Sequence, residues 1–394
     1  MSERVIRPTG RGFLLLDAHP AGCFESVTAI RPEPAEAPRR VALIIGSSAG
    51  YGLATTVAGL SRHGVRGVGV AFERPPGRRT ATAGWYRTIA TDRLASELGS
   101  DVTFVNADAF ADTTKDEVLD LVAKRFGGLD YLIYSVAAPR RADPRTGATY
   151  TSVIKPLGSA YTTRTLEFTP DGTAELREVT AEPATEEEAA ATVKVMGGED
   201  WGRWITALAE RGLLNQGFQT VALSYIGSSL TSAIYREGTI GAAKLDLEQT
   251  ASALTQLVQP VGGRAFTSVN GAAVTQASTA IPGIALYVSL LRSVLGDKLQ
   301  SPVEQSLRLW DQLTGAAPLD LDEQGRIRLD RWELTEQVQS AVAALWRDVT
   351  PETIDRVADV DWFRSQFRGL YGFDVPGVDY DAPVEVDLPW PAAR

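Results

Sequence analysis

Short apolar runs alternate with longer stretches of mixed polarity through the first third of the chain. Each run is bounded by glycine or polar residues and has the length of a strand buried on both faces. We predict strands over 40–46, 65–73, 101–110 and 129–139, with helices over 50–64 and 115–127. Strands that alternate with helices indicate a parallel sheet with right-handed crossovers.

The same alternation resumes after a gap, with a strand over 219–227, a helix over 241–259 and a strand and loop over 262–278. The gap is a long insertion over 139–215, in which Thr185 and Glu188 have capping-box spacing ahead of a helix. An apolar helix over 281–296 opens a helical C-terminal extension. We therefore predict one domain over 1–394 of the α/β class, a Rossmann-type doubly wound parallel sheet. Its core spans 40–280, and it carries an N-terminal extension, the insertion and the extension over 281–394.

Composition excludes several classes of site. The chain of 394 residues has one cysteine, Cys23, and two histidines, His19 and His63, too few for a metal site built from several Cys and His ligands. Neither histidine lies in a motif that supports a Ser-His-Asp triad. The net charge of −10 argues against a general nucleic-acid binder. No apolar run is long enough to span a membrane, no secretory signal opens the chain, and a lone cysteine fits a reducing compartment, so we expect a cytoplasmic protein.

A glycine-rich loop follows the first predicted strand and directly precedes a helix. Gly46, Gly50 and Gly52 have G-x3-G-x-G spacing, the variant typical of short-chain dehydrogenases. Glycine lets the backbone turn tightly and approach a ligand, and the helix N-terminus offers free N–H groups to a pyrophosphate. The loop predicts a dinucleotide site formed by Gly46, Ser47, Ser48, Ala49, Gly50 and Tyr51.

An acidic residue ends the second predicted strand. Glu73 stands 27 residues after Gly46, where a carboxylate accepts both hydroxyls of an adenosine ribose and repels a 2′-phosphate. This position favours NADH, although Arg74, Arg78 and Arg79 nearby are residues that a 2′-phosphate would also suit. Asp108 ends the third strand and is a candidate partner of the adenine amino group. Residues 135–137 end the fourth, where a dinucleotide crosses the sheet.

Two tyrosines and a lysine near the fifth strand are candidates for chemistry. Tyr235 and Lys244 are nine residues apart, so on one continuous helix they would face opposite ways. They share a site only if the helix starts between them, and Gly238 and Gly241 around Thr239, a plausible cap, supply that break. Tyr235 then lies in the approach loop and Lys244 in the first turn. Lys244 would bind the nicotinamide ribose and lower the pKa of the phenol, and Tyr235 would donate to a carbonyl oxygen.

A family resemblance covers nearly the whole chain. It is carried by GSSAGYGLA, FERP, AGWY, DAF, YSVAAPRR, KPLG, EPAT, VKVMGGEDW, GTIGAAKLDLE, VTQASTAIP and GVDYDA. These stretches resemble the NADH-dependent trans-2-enoyl-CoA and enoyl-acyl-carrier-protein reductases, the long type with Tyr-x8-Lys. The resemblance implies a reductase of enoyl thioesters such as crotonyl-CoA in fatty-acid metabolism, usually monomeric, with the C-terminal extension over the substrate site.

The resemblance also implies roles for particular residues. Tyr235 would be the proton donor, Tyr225 a substrate contact and Lys244 an NAD contact. The cofactor would be lined by the glycine loop and by the residues Phe72, Glu73, Asp108, Ala109, Val136, Ala137, Ala273, Val274 and Thr275.

Two other functions remain open from the residues alone. An NADH-dependent carbonyl reductase would use the same Tyr-Lys pair, and an inactive NADH-sensing protein would keep the fold without turnover. The basic segment with Arg140, Arg141, Arg145 and Lys155 is a candidate receiver of a polyanionic CoA or of an acidic carrier protein. The helix over 281–296 is either a core helix or a wall of an acyl channel.

Overall fold

The computed structural model describes residues 3–11, 14–34, 39–169 and 173–392. In chain order its strands are β1 (Glu3–Arg4), β2 (Gly10–Arg11), β3 (Leu14–Leu15), β4 (Val41–Ile45), β5 (Arg66–Ala71), β6 (Val102–Asn106), β7 (Leu129–Tyr134), β8 (Arg140–Ala142), β9 (Thr149–Thr151), β10 (Tyr161–Phe168), β11 (Ala174–Ala181), β12 (Leu214–Ser224), β13 (Arg264–Val269), β14 (Ile327–Arg328) and β15 (Val384–Glu385). Its helices are α1 (Pro20–Thr28), α2 (Gly50–His63), α3 (Ala83–Glu97), α4 (Asp112–Arg125), α5 (Glu186–Met196), α6 (Glu199–Glu210), α7 (Thr239–Val258), α8 (Ile284–Leu295), α9 (Pro302–Leu313), α10 (Glu336–Asp348), α11 (Ile354–Val357) and α12 (Val360–Gly369).

In the described part of the chain, the central sheet has seven strands in the order β14-β13-β12-β7-β4-β5-β6. All six neighbouring pairs are parallel. The order reverses between β4 and β7, which is the topological switch point where open α/β sheets bind ligands. The predicted doubly wound parallel fold is therefore confirmed, and β14 adds a seventh strand that the sequence did not indicate.

Apolar strands explain the core of the sheet. β4 is buried along its whole length, and its side chains divide between two clusters, one on each face of the sheet. Trp201 and Trp204 of α6 pack on one face, and Trp310 of α9 packs on the other. A strand buried on both faces needs no polar alternation, which is why these runs are continuously hydrophobic.

The segment between β7 and β12 contains two antiparallel pairs, β8 with β9 and β10 with β11, followed by α5 and α6. The predicted capping box is confirmed at the start of α5. The Thr185 hydroxyl accepts from the Glu188 N–H at 3.2 Å, and the Glu188 carboxylate accepts from the Thr185 N–H at 3.0 Å. The two bonds satisfy N–H groups that the first helical turn leaves without partners.

The C-terminal residues surround one buried helix and then return to the sheet. Residues 284–291 of α8 are buried, and side chains of α10 and α12 join the same apolar cluster. The tail beyond β15 crosses α3, where the Tyr86 hydroxyl donates to the Val386 carbonyl and the Trp85 indole to the Leu388 carbonyl. β15 pairs with β1, so segments from both ends of the chain lie side by side. Among the described residues, no helix combines the length and apolarity needed to cross a membrane.

Candidate active site

The glycine loop lies at the switch point of the sheet. Gly46 has φ +88°, a left-handed conformation that favours glycine, and a Cβ there would overlap the Ser135 carbonyl after β7. Gly52 is helical, and a Cβ on it would overlap the Gly46 carbonyl. The loop is thus closed against β7 on one side and against α2 on the other. Ala49, the N-cap of α2, makes no side-chain cap bond, and the first N–H groups of α2 therefore remain available to an anion.

The segment after β13 approaches the start of α2. The Tyr51 hydroxyl donates to the Gly271 carbonyl at 2.6 Å, and burial raises the pKa of this phenol. A Cβ on Gly50 would lie 3.7 Å from the Thr275 methyl carbon. Ala273 is buried, and Val274 and Thr275 are half-buried. The structure therefore brings the segment Ala273–Thr275 against the glycine loop, as cofactor-lining residues require.

Glu73 is held in place by hydroxyl groups. Its carboxylate accepts from the Ser48 hydroxyl at 2.6 Å and from the Thr82 hydroxyl, and a Cβ on Gly84 would overlap it. A carboxylate has about four acceptor positions, so two bonds leave capacity for ribose hydroxyls. The Arg74 guanidinium donates to the Thr80 carbonyl at 2.9 Å. Arg74, which directly follows Glu73 in the sequence, therefore uses its guanidinium in a bond to the backbone.

The remaining predicted cofactor residues follow β5, β6 and β7. The Phe72 ring is 76% exposed at the end of β5, an arrangement suited to stacking on a flat base. The Asp108 carboxylate accepts from the Phe110 N–H at 3.0 Å, and the Ala109 carbonyl accepts from the Lys115 ammonium at 2.9 Å. Val136 is half-buried and Ala137 exposed, directly after β7.

The helix that carries Lys244 begins between Tyr235 and Lys244, as the spacing predicted. α7 starts at Thr239 and its N-cap is Gly238, so the prediction of Thr239 as the cap is wrong. The Thr239 hydroxyl instead donates to the Val153 carbonyl at 2.5 Å, which fastens the helix start to the segment after β9. Lys244 is the sixth residue of α7 and lies in its second turn, where the sequence predicted the first.

Several contacts fasten the Tyr235 loop to α7. The N–H groups of Gly238 and Gly241 donate to the Tyr235 carbonyl at 3.1 and 2.9 Å. Arg236 donates to both carboxylate oxygens of Glu248, at 2.9 and 3.3 Å, one helical turn beyond Lys244. The loop that presents the phenol and the helix that presents the amine are therefore one connected unit.

The three predicted chemical residues meet at the carboxyl end of β12. The rings of Tyr225 and Tyr235 are edge to face, with centroids 5.0 Å apart. The Lys244 ammonium donates to the Leu223 carbonyl at 3.2 Å, two residues before Tyr225. Tyr235 is 7% exposed and Lys244 is 8% exposed. The structure therefore brings two phenols and one amine to the same strand end.

Burial controls the protonation of Tyr235 and Lys244. It raises the pKa of Tyr235 above its usual value, and Arg236 opposes this only in part. Burial lowers the pKa of Lys244 to about 8, while Glu248 raises it. The prediction that Lys244 lowers the phenol pKa is wrong, because desolvation of the phenolate dominates and Lys244 is not among the groups that shift this pKa. Tyr235 is consequently a neutral O–H donor at neutral pH.

Sequence reasoning missed a buried carboxylate beside these residues. Glu333 is 0% exposed and accepts from the hydroxyls of Tyr225 at 3.0 Å and Tyr287 at 2.7 Å. It also accepts from the Ala272 N–H at 2.5 Å, in the segment that approaches the glycine loop. The only hint in the sequence is a glutamate within the otherwise ordinary stretch DRWELTEQ, because its partners are 46 to 108 residues away.

The basic segment after β7 differs from the prediction of a free cationic patch. Arg141 is buried and donates to the Lys194 carbonyl and to Glu199. Lys155 pairs with Glu188 at 2.6 Å. Arg140 and Arg145 are exposed. Two of the four cations are thus engaged in structural contacts, and the other two are exposed.

Three family models match consecutive parts of the chain. The model described as the trans-2-enoyl-CoA reductase catalytic region matches residues 79–314. The NAD(P)H binding domain of trans-2-enoyl-CoA reductase matches residues 5–78, and the enoyl reductase FAD binding domain matches residues 321–384.

Curated relatives and solved structures match over nearly the full length. An enoyl-[acyl-carrier-protein] reductase [NADH] of Streptomyces avermitilis is 70% identical and covers 98% of this chain and 100% of its own. A trans-2-enoyl-CoA reductase [NADH] of Clostridium perfringens is 41% identical, with 97% and 99% covered. The crystal structure of Treponema denticola trans-2-enoyl-CoA reductase in complex with NAD has TM-score 0.90 and 40% identity, with 97% and 98% covered. That of the Clostridium acetobutulicum enzyme in complex with NADH has TM-score 0.91 and 34% identity over the same shares.

The matched segment 321–384 does not fit a flavin in this structure. It contains β14, α10, α11 and α12, but no strand followed by a glycine loop and a helix that would cradle a pyrophosphate. Its apolar side chains, among them Phe363 and Phe367, pack in the cluster around α8.

Proposed function

Because the chain belongs to the trans-2-enoyl-CoA reductase family, we propose that it reduces the trans-2 double bond of an enoyl thioester with NADH. The product is the saturated acyl thioester, and the reaction belongs to fatty-acid metabolism. The observation that carries the proposal is the meeting of Tyr225, Tyr235 and Lys244 at the carboxyl end of β12. This strand end is next to the switch point that holds the glycine loop.

The glycine loop and Glu73 bind the cofactor. The N–H groups at the start of α2 receive the pyrophosphate, and the Glu73 carboxylate accepts from the adenosine ribose. The exposed Phe72 ring would stack on the adenine, and Asp108 and Ala109 would contact the same base. A 2′-phosphate next to the Glu73 carboxylate would be repelled, which favours NADH over NADPH.

When bound, NADH supplies the hydride that C3 of the enoyl thioester accepts. The negative charge that develops on the thioester oxygen would be stabilised by a hydrogen bond from the neutral Tyr235 hydroxyl. Tyr225 gives a second contact to the same carbonyl. The enolate then takes one proton at C2, drawn from solvent, which gives the saturated acyl thioester. Lys244 would hold the nicotinamide ribose, and the negative charge of a bound dinucleotide would favour the charged form of this buried amine.

The surroundings of the site suggest how the thioester is received. We place the C-terminal extension over the acyl part of the substrate, since α8 and α10 share an apolar cluster with Tyr225 and Tyr235. The exposed Arg140 and Arg145 suit the anionic end of CoA or of a carrier protein. We further propose that the protein works as a monomer in the cytoplasm.

The test supplies crotonyl-CoA and acetoacetyl-CoA separately and follows loss of NADH absorbance. We expect turnover of crotonyl-CoA to butanoyl-CoA, weaker rates with NADPH, and none with acetoacetyl-CoA. Turnover of acetoacetyl-CoA alone would make the protein a carbonyl reductase. Tight NADH binding without oxidation by crotonyl-CoA or an enoyl carrier protein would make it a sensing protein.

A further inference from the structure

Glu333 lies where the C-terminal extension meets the reacting groups. Its Oε1 accepts from the hydroxyls of both Tyr225 and Tyr287, and its Oε2 accepts from the Ala272 N–H. Among the ion pairs of the described residues, none includes Glu333. A fully buried carboxylate held by two phenols and one amide, with no cation in contact, is costly to keep ionised.

We propose that Glu333 is a positioning residue whose protonation decides whether Tyr225 can donate its hydroxyl hydrogen to the thioester carbonyl. The inference rests on the proposed function, because it assigns Tyr225 to that carbonyl. It adds a control element outside the Tyr-Lys pair, supplied by the C-terminal extension.

The number of hydrogens available explains how the protonation of Glu333 governs Tyr225. A phenol has one hydrogen to donate, and that of Tyr225 is taken by Glu333 while the carboxylate is ionised. Once Oε1 carries a proton, it can donate to the Tyr225 oxygen. The Tyr225 hydrogen then becomes free to turn toward the substrate. Each step leaves the same number of hydrogen bonds around the carboxyl group.

The second phenol does not compete for this role. Gln339 Nε2 donates to the Tyr287 oxygen at 3.0 Å, and the Gln339 amide oxygen accepts from the Ser228 hydroxyl at 2.6 Å. The Tyr287 oxygen is therefore already an acceptor, and its hydrogen stays directed at Glu333. Tyr225 is the member of the pair whose hydrogen is released.

The surroundings of Glu333 raise its pKa to about 7. Burial is the main cause, and the charge of Asp330 adds to it, while the hydrogen bonds from Tyr287, Ala272 and Tyr225 lower it in part. Arg328 pairs with Asp330 at 2.7 Å and reduces the influence of that acid. The titratable and charged groups around Glu333 and Tyr225 are Tyr51 on α2, Tyr235 before α7, Tyr287 on α8, Arg328 at the end of β14 and Asp330 just after it.

The direction of the pH dependence of kcat/KM follows from the raised pKa of Glu333. Below pH 7 Glu333 is protonated and Tyr225 is free to donate to the substrate; above it, the carboxylate holds the Tyr225 hydrogen. If only the protonated form is competent, its fraction falls about thirtyfold between pH 6 and pH 8.5. The proposal therefore predicts a falling limb in kcat/KM with a midpoint near 7.

The test measures kcat/KM for crotonyl-CoA from pH 6 to pH 8.5 at saturating NADH, which keeps Lys244 in its cofactor-bound state. Glu333→Gln stays uncharged over this pH range, with its amide oxygen accepting from Ala272 and its NH2 group donating to the Tyr225 oxygen as the protonated acid does, although the Tyr287 hydrogen loses its acceptor. We expect the ratio of kcat/KM at pH 6 to that at pH 8.5 to fall from about 30 to about 1. Tyr225→Phe should also remove the limb, since Glu333 acts through Tyr225. The control Glu336→Gln changes a nearby exposed glutamate and should keep the limb.

A limb that persists in Glu333→Gln, or a parent enzyme without one, would overturn the inference. Infrared difference spectra between the same two pH values detect the Glu333 proton without turnover. A protonated-carboxyl band present in the parent and lost in Glu333→Gln supports the inference, and its absence from the parent overturns it. A parent that reduces no enoyl thioester overturns the proposed function instead, and the spectra then decide the protonation of Glu333.

Discussion

Tyr235 is a neutral phenol packed edge to face on a second phenol, in a site that little water reaches. Burial raises its pKa, so the hydroxyl keeps its hydrogen over the whole neutral range. A hydroxyl donor stabilises an enolate oxygen more than a neutral carbonyl oxygen. It therefore lowers the energy of the enolate-like transition state more than that of the bound substrate. Its contribution should therefore appear in turnover and not in cofactor binding.

Tyr235→Phe removes the hydroxyl and keeps the ring. We expect kcat to fall by about 10² to 10³, as for loss of one donor to a developing oxyanion, with the Kd of NADH changed less than twofold. Steady-state rates and NADH fluorescence titration measure the two quantities. The control Tyr131→Phe removes a buried hydroxyl bonded to the Leu313 carbonyl, and it should lower stability by about 1 kcal/mol without lowering kcat. Loss of NADH affinity in Tyr235→Phe would contradict the chemical role.

Among the secondary-structure elements, α2 and α7 hold the site, and each begins at a glycine-rich segment. At α2 the glycines are needed for space, since the carbonyls of Ser135 and Gly46 occupy the positions of their missing Cβ atoms. At α7 they are needed for space as well, since Cβ atoms on Gly238 and Gly241 would overlap the carbonyls of Ile234 and Arg236. Tyr235 precedes this helix start and Lys244 follows it.

Gly52→Ala tests the close packing at the start of α2. Alanine favours a helix over glycine by about 1 kcal/mol, but here its Cβ would push the Gly46 carbonyl and move the glycine loop. We expect the Kd of NADH to rise at least about tenfold, or about 1.4 kcal/mol. Gly202→Ala on α6 is the matched control, because its Cβ would meet open space and should stabilise the protein by about 0.5–1 kcal/mol. Calorimetric titration with NADH compares the two, and equal affinities would exclude a steric role for Gly52.

The sequence indicated elements better than it indicated the partners of polar side chains. The strands were recognisable because β4 is a continuous apolar run and β5 and β7 are mostly apolar, whereas the two residues of β14 form no pattern. Thr239 looked like a cap, but its hydroxyl found the Val153 carbonyl, a partner 86 residues away. The role of Arg141 was predicted wrongly and Glu333 was not predicted, for the same reason. Only tertiary structure brings their partners to them.

At the scale of the whole molecule, an N-terminal strand pairs with a C-terminal strand, and the C-terminal tail packs on helix α3 beside the sheet. The C-terminal tail is fastened to α3 by Trp85 and Tyr86, and α3 carries Gly84 against Glu73. The C-terminal extension also supplies Glu333 to the site at β12. The parts of the chain outside the dinucleotide-binding core therefore support both the ribose end and the reacting end of the proposed cofactor site.

A crystal structure with NADH bound tests the central claim most directly, because it shows what lies between the glycine loop and the three side chains at β12. We predict the pyrophosphate at the start of α2, the Lys244 ammonium within hydrogen-bond distance of the nicotinamide ribose, and the Tyr235 hydroxyl facing the space above the nicotinamide ring. A nicotinamide ring bound away from Tyr235 and Lys244, with the two groups in separate cavities, would contradict the account.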